Sequence, residues 1–181
     1  ERRVQFLVCQ DAEDEVAAAL EKLELLCANA RKARREPCPT SALVVGLKCG
    51  GSDGFSGITA NPLLGSLTDR LTAEGASAIL TEVPEMFGAE TILMNRCRSR
   101  AVFDDTVRLI NDFKRYFMRY GERIDENPSP GNKAGGITTL AEKSLGCIQK
   151  GGKSTVEDVL QYAQPVRAHG LSLLCAPGND L

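Results

Sequence analysis

The stretch Ala42-Leu-Val-Val-Gly-Leu47 leads directly into the glycine-rich segment Lys48-Cys-Gly-Gly-Ser-Asp-Gly-Phe-Ser-Gly57. A continuous apolar run of this kind is typical of a strand that is buried on both faces. Residues 62–74 then have a helical pattern, with Leu63 and Leu67 on one apolar stripe. An apolar strand, a glycine-rich loop and a helix in this order predict the start of an α/β domain.

The same alternation continues along the chain. Residues 76–83 and 171–175 are two further apolar runs that predict strands, and residues 102–120 predict a long helix. Residues 155–162 predict another helix. Strands that alternate with helices in this way predict a layered, Rossmann-like α/β domain with a mainly parallel sheet flanked by helices. Ligands of such sheets bind at the carboxyl ends of the strands.

The domain organisation follows from the remaining helical pattern, which covers residues 12–35. We predict a helical lead-in over residues 1–40 and an α/β core over residues 41–181, both within one domain. Residue 1 is not Met, and the apolar run 171–175 is followed only by a turn. Because a helix or strand normally follows such a run, we expect the chain to be a piece of a longer polypeptide, truncated at its carboxyl end.

Composition excludes several classes of function. The 22 basic and 24 acidic residues give a net charge of −2, which argues against general binding to nucleic acid or to an anionic membrane. No apolar run approaches the roughly 20 residues that a membrane span needs. The seven cysteines are an odd number and form no CxxC pair, which indicates a reducing, cytoplasmic setting. The single histidine, His169, excludes a metal site made of several histidines of this chain.

The glycine-rich segment is the first candidate site. Its glycines leave backbone N–H groups exposed, Cys49 and Asp53 offer metal-ligating atoms, and Ser52 and Ser56 offer hydroxyl groups. The segment lacks the dinucleotide fingerprint, because Ser52 stands where the first glycine is required. These residues predict a loop that binds an anion or contributes to a metal site, and the alternative is a plain strand-to-helix turn.

Two further polar segments lie near predicted strand ends or in a long loop. The first is Thr81-Glu-Val-Pro-Glu-Met-Phe-Gly-Ala-Glu90, in which Glu82 ends an apolar strand and is a candidate metal ligand or base. Glu85 can also serve to compensate the positive end of a helix dipole at a helix amino terminus. The loop 126–137 supplies Asn132 and Lys133 as donors to hydroxyl or carboxylate groups, with a plain connector as the alternative.

The segment Cys147-Ile-Gln-Lys-Gly-Gly-Lys-Ser154 nearly matches a phosphate-binding loop. Cys147 replaces the first glycine of that motif, and residues 140–146 do not have the pattern of a buried strand. We therefore predict that this segment is not a nucleotide site.

Several of these blocks together resemble the altronate dehydratase/galactarate dehydratase family. They are Gly46–Pro62, Thr81–Glu90, Asn127–Gly136, Glu142–Gly146 and Ala176–Asp180. Their order and spacing are similar to the family over about residues 43–181, and the second and third blocks resemble the altronate branch most. Sulfolactate sulfo-lyase is similar too, which leaves the leaving group open.

The resemblance implies an enzyme that removes water from a 2,3-dihydroxy sugar acid to give a 2-keto-3-deoxy acid. Altronate is the expected substrate and galactarate the next. A divalent metal is implied, iron(II) first, with manganese or magnesium as alternatives. The partners implied are the small sugar-acid substrate and the remaining domains of the same polypeptide, and a homodimer is compatible with the family.

That chemistry needs a base, a charge-stabilising cation and hydroxyl-binding groups. The resemblance and the residue types assign the metal to Cys49, Asp53 and Glu82. They assign the base, or the group that holds the substrate carboxylate, to Lys133 or Lys143. The hydroxyl-binding candidates are Ser52, Ser56, Thr59, Asn61 and Asn132. Two alternatives stay open: a scaffold or dimerisation domain without catalytic residues, and a phosphate-binding α/β module.

Overall fold

The computed structural model describes residues 3–177, and the chain divides into two compact units that meet in sequence at Cys38 and Pro39. The first unit contains a single turn of 3-10 helix, Cys9–Asp11, and helix α1, Glu15–Ala30. Asp14 caps α1, because its carboxylate accepts hydrogen bonds from two backbone N–H groups at 3.0 Å each. Residues 4–8 are a lead-in without regular structure.

The second unit contains a four-stranded sheet in which all strands are parallel, in the order β1-β2-β4-β3. The strands are β1 (Val44–Leu47), β2 (Ser77–Leu80), β3 (Val156–Leu160) and β4 (Gly170–Leu174). The two central strands are the most deeply buried, as apolar runs predict. This confirms the predicted α/β class with a mainly parallel sheet.

Helices connect the strands and cover the sheet. They are α2 (Ala60–Ala73), α3 (Glu90–Met94), α4 (Arg100–Arg119), α5 (Pro130–Ala134) and α6 (Leu140–Cys147). The long amphipathic helix α4 packs Leu109, Ile110 and Phe113 into the core beside the fully buried Phe87. Among the described residues, no helix combines the length and apolar character needed to cross a bilayer.

The prediction of a helix over residues 155–162 is wrong, because this segment forms the edge strand β3. Val156 and Leu160 are both buried, and a spacing of four places two residues on one face of a strand as well as of a helix. Parallel pairing with β4 decides between the two, with Val156 opposite Leu171 and Leu160 opposite Leu174.

Two burial predictions are also wrong. Strand β1 lies at the sheet edge, so Val44 is 50% exposed rather than buried on both faces. On α2, the predicted apolar stripe faces outward, with Leu63 71% exposed, while Gly65 and Thr68 are buried. The reason is close backbone packing: a Cβ atom at Gly65 would lie 2.3 Å from the carbonyl oxygen of Gln149, so only a small residue fits there.

Candidate functional site

A buried cluster begins where β1 and β2 end. Cys49 lies just beyond β1, and its backbone N–H donates to Glu82 Oε2 at 2.7 Å while its thiol contacts Glu82 Oε1 at 3.5 Å. Glu82 has a left-handed backbone (φ 64°), and a 3-10 turn, Val83–Met86, follows it directly. This sharp reversal buries Glu85 beside Glu82, so two carboxylates share one site.

Helix α6 and the turn after it contribute two buried lysines. Lys143 Nζ lies 3.0 Å from Glu85 Oε1. Lys150 Nζ lies 3.8 Å from Glu82 Oε2 and 3.7 Å from Glu85 Oε2. The start of α6 is held by a capping box between Thr139 and Glu142, which fixes the direction in which Lys143 projects. The cluster therefore contains two carboxylates and two ammonium groups.

Burial governs the protonation of Cys49 and Glu82. It raises the pKa of the Cys49 thiol, and hydrogen bonding and charge from Glu85 raise it further. Burial also raises the pKa of Glu82, against the opposing effects of the Cys49 backbone N–H and the Lys150 ammonium. The thiol consequently carries its proton at neutral pH.

Charge pairing governs the protonation of Glu85 and Lys143. Burial tends to raise the pKa of Glu85, but the Cys147 thiol and the ammonium groups of Lys143 and Lys150 outweigh it, so this pKa lies below its ordinary value. Burial tends to lower the pKa of Lys143, but Glu85 outweighs it and raises this pKa. Burial raises the pKa of Cys147 to about 12. Glu85 and Lys143 thus form a charged pair flanked by neutral thiols.

The carboxylate end of the cluster fits a divalent cation. One ligand atom each from Cys49, Glu82 and Glu85 lies within 4.8 Å of the other two, and all three residues are buried. Glu85 Oε2 accepts no hydrogen bond from a described residue, and its nearest cationic group is the Lys150 ammonium at 3.7 Å, so its hydrogen-bonding capacity is unused. Carboxylates suit magnesium and manganese, and the Cys49 sulfur would add affinity for softer metals such as iron once a bound cation displaced its proton.

Asp53, the remaining predicted metal ligand, lies outside this cluster. Its Oδ1 accepts hydrogen bonds from the backbone N–H groups of Phe55 and Ser56 and from the Ser56 hydroxyl, so it organises the exposed glycine-rich loop. These hydrogen bonds hold the pKa of Asp53 below its ordinary value. Glu85 takes the third position in the cluster instead.

A cleft of about 320 Å³ opens beside the lysine end of the cluster. The glycine-rich loop and α6 line it, with Lys143 among the lining side chains. Ser52, Ser56 and Asn61 are the predicted hydroxyl-binding residues that also line it. Asn61 donates to the Gly146 carbonyl at 3.0 Å, which joins the start of α2 to α6.

A second cleft, of about 500 Å³, lies between the glycine-rich loop and α5. Asn132 lines it and donates to the Ser52 carbonyl at 2.9 Å, while its buried Oδ1 has no donor among the described residues. The two glycine-rich segments meet here, since Gly54 N–H donates to the Gly135 carbonyl at 2.8 Å. A Cβ atom at Gly135 would crowd Asp53 at 3.1 Å.

Two predicted site residues lie outside both the buried cluster and the two clefts. Lys133 is exposed on α5 and forms no ion pair with another described residue. Thr59 is exposed, and its hydroxyl donates to the Phe55 carbonyl at 2.8 Å. The last block of the family resemblance, Ala176–Asp180, extends past the described residues, and Gly178, Asn179 and Asp180 lie outside them.

The near match to a phosphate-binding loop has another role. Strand β3, not a helix, follows Cys147–Ser154, so no helix amino terminus faces a phosphate there. Lys150 and Cys147 instead belong to the buried cluster, which sequence reasoning missed. The available local signal was the spacing of four that places Lys143 and Cys147 on one face of α6, whereas Lys150 lies beyond that helix in the turn Ile148–Gly151.

The chain is similar in sequence to known proteins. The family profile described as "D-galactarate/Altronate dehydratase, C-terminal" matches residues 40–181. Altronate dehydratase of Bacillus subtilis is 58% identical over 180 residues, and that of Escherichia coli is 56% identical over 178 residues. The two alignments cover 99% and 98% of this chain. Galactarate dehydratase (L-threo-forming) of Escherichia coli is 40% identical over 147 residues, which are 81% of this chain and 28% of that relative. The chain spans 36% of the length of either altronate dehydratase.

Proposed function

Because this chain belongs to the D-galactarate/altronate dehydratase family, we propose that it carries residues of a sugar-acid dehydratase site. The proposed reaction removes water from a 2,3-dihydroxy acid and yields a 2-keto-3-deoxy acid. Altronate is the first substrate candidate, since the altronate dehydratases are more similar to this chain than the galactarate dehydratase is. The observation that carries the proposal is the buried Lys143–Glu85 pair beside the 320 Å³ cleft.

Lys143 is proposed to stabilise negative charge on the substrate. Removal of the proton next to the substrate carboxylate produces an enediolate, whose extra charge needs fixed positive groups. The pairing with Glu85 raises the pKa of Lys143, so the amine is an ammonium and has no lone pair with which to act as a base. It lines the cleft and is positioned by Glu85, which favours a role in holding the carboxylate or protonating the departing hydroxyl.

Lys133 is proposed to attract and hold the substrate carboxylate, because it is exposed on α5 and forms no ion pair with another described residue. Asn132, beside it in sequence, offers an unpaired amide oxygen to a substrate hydroxyl. Ser52, Ser56 and Asn61 are proposed to bind the remaining hydroxyl groups in the first cleft.

Cys49, Glu82 and Glu85 are proposed to hold the divalent cation, with iron(II) first and manganese or magnesium as alternatives. When bound, such a cation supplies Lewis-acid stabilisation of the developing oxyanion. Glu82 and Glu85 keep the Cys49 side chain in place through the hydrogen bonds already described.

The test uses a full-length protein that carries this chain, with iron(II) under reducing conditions. We expect altronate to yield an α-keto acid, and Lys143→Met to lower kcat/KM by about a hundredfold or more. Lys153→Met, which removes an exposed lysine nearby, is the matched control and should keep its activity. Full turnover by Lys143→Met would favour a scaffold role for this chain, and full turnover by Lys133→Met would remove Lys133 from the proposed site.

A further inference from the structure

We infer that Lys150 is a positioning residue that limits how tightly Cys49, Glu82 and Glu85 hold a divalent cation. The inference rests on the proposed function, because it assumes that these three residues are the ligands. Its basis is the position of one fully buried ammonium group behind the two carboxylates.

The two lysines of the cluster differ in what they can reach. Lys143 lines the 320 Å³ cleft and approaches Glu85 at 3.0 Å. Both side chains are almost fully buried, 1% exposed for Lys143 and 2% for Lys150, but Lys150 lines none of the described clefts. A substrate in the cleft can therefore contact Lys143, whereas Lys150 acts on it only through Glu82 and Glu85.

The charges of the cluster already balance without a cation. Two carboxylates face two ammonium groups, so a divalent ion would enter a buried site that has no surplus negative charge. Lys150 Nζ lies 3.8 Å from Glu82 Oε2 and 3.7 Å from Glu85 Oε2, so its charge would act directly on an ion between them. Repulsion at such distances in a buried site weakens cation affinity.

The backbone around Lys150 prevents the segment from moving away. The Thr68 hydroxyl donates to the Lys150 carbonyl at 2.7 Å, and both residues are fully buried. The preceding residue, Gln149, packs its backbone against α2 so closely that a side chain at Gly65 would not fit. The repulsion therefore cannot be relieved by a shift of the turn.

The experiment measures Mn²⁺ affinity in a full-length protein that carries this chain, from the decrease of the free-ion electron paramagnetic resonance signal. We expect Lys150→Met to bind Mn²⁺ about tenfold more tightly or better, since one repelling charge is gone. Lys150→Arg keeps the charge and should bind within about threefold of the unchanged protein. Lys153→Met, which removes an exposed lysine three residues away, should leave the affinity unchanged.

Equal Mn²⁺ affinity in Lys150→Met and the unchanged protein would overturn the inference. If Lys150→Met does not fold, Lys150→Arg decides, because a tenfold gain there would show that charge is not the cause. Glu85→Gln separates the two proposals. If it leaves Mn²⁺ binding intact, the proposed ligand set is wrong and the proposed function loses its cation site, whatever the Lys150 variants do.

Discussion

The buried charged residues differ in how many oppositely charged partners they have. The Glu85 carboxylate lies 3.0 Å from Lys143 and 3.7 Å from Lys150, so it compensates two ammonium groups. Among the described residues, Lys143 has only Glu85 within ion-pair distance, and Glu82 has only Lys150. Removing Glu85 would leave Lys143 without a partner, whereas removing Lys143 leaves Glu85 paired with Lys150.

We expect Glu85→Gln to destabilise the chain by about 3–5 kcal/mol, because it leaves a buried ammonium group without its counter-ion. Lys143→Met should cost less, since Lys150 still faces Glu85. Urea unfolding of both variants measures the difference. Glu122→Gln, an exposed change, is the control, and equal losses in Glu85→Gln and Lys143→Met would contradict this ranking.

At the level of elements, α2 is held by backbone contact. Its buried face carries Asn61, Gly65 and Thr68, where sequence periodicity favours the leucines of the opposite face. Close approach to the 148–152 segment requires a residue without a side chain at position 65. The same approach fixes Lys150 through Thr68.

Gly65→Ala should destabilise the protein by roughly 1–3 kcal/mol or more, because the new methyl group would overlap the Gln149 carbonyl. Gly46→Ala is the matched control, since a Cβ there meets nothing within 4 Å. Chemical denaturation compares the two variants. A Gly65→Ala protein as stable as the control would show that α2 can shift without cost.

Thr68→Val removes the hydroxyl that donates to the Lys150 carbonyl. We expect a loss of about 1–3 kcal/mol, because a buried carbonyl is left without this donor while the side-chain shape is nearly kept. Thr91→Val, on an exposed site of α3, serves as the comparison in thermal unfolding. The same melting temperature for both variants would contradict the expectation.

The contact between α3 and α4 predicts a dependence on pH. Glu90 lies 2.9 Å from Lys114, and although burial tends to raise its pKa, its own backbone N–H and Lys114 lower it below the ordinary value. Because the pKa of Glu90 is lower in the folded state, its ionised carboxylate stabilises the fold at pH values above about 4.3, the ordinary pKa of glutamate. This contribution to stability disappears as the pH falls through the folded-state pKa of Glu90.

Unfolding midpoints of the unchanged protein and Glu90→Gln, measured from neutral to acidic pH, test this dependence. We expect the unchanged protein to be more stable at neutral pH and the two curves to converge on acidification. A difference that persists below the folded-state pKa of Glu90 would point to packing rather than charge.

At the level of the whole molecule, the core and the site share one segment. Phe87 follows the turn that carries Glu85, is 1% exposed and packs edge-on against Phe117 of α4, with ring centroids 6.3 Å apart. Packing of this ring against α4 therefore anchors the turn that brings the second carboxylate to the site.

Phe87→Ala should cost about 3–5 kcal/mol, as is usual for a large aromatic residue removed from a core. Phe87→Leu should cost less, because it leaves a smaller cavity. Phe6→Ala is the control, since Phe6 is 84% exposed. Urea unfolding gives the free energies, and a Phe87→Ala loss no larger than that of Phe6→Ala would exclude the anchoring role.

Local sequence patterns alone determined the central strands and the fold class of this protein. Continuous apolar runs identified β2 and β4 and the parallel α/β class, and blocks at strand ends placed Cys49 and Glu82 near a site. These features follow from hydrophobic periodicity, which is set by neighbours in sequence. The resemblance to a known family supplied the expected chemistry. The comparisons with relatives show that the chain belongs to that family.

Tertiary structure alone decided the remaining features. Strand β3 has a spacing that suits a helix equally well, and only pairing with β4 makes it a strand. Glu85 and Lys143 are 58 residues apart in sequence, and no local pattern states that they meet at 3.0 Å. Contacts of this kind depend on which faces of distant elements pack together, and that packing joined Glu85 and Lys150 to the site and kept Asp53 in its loop.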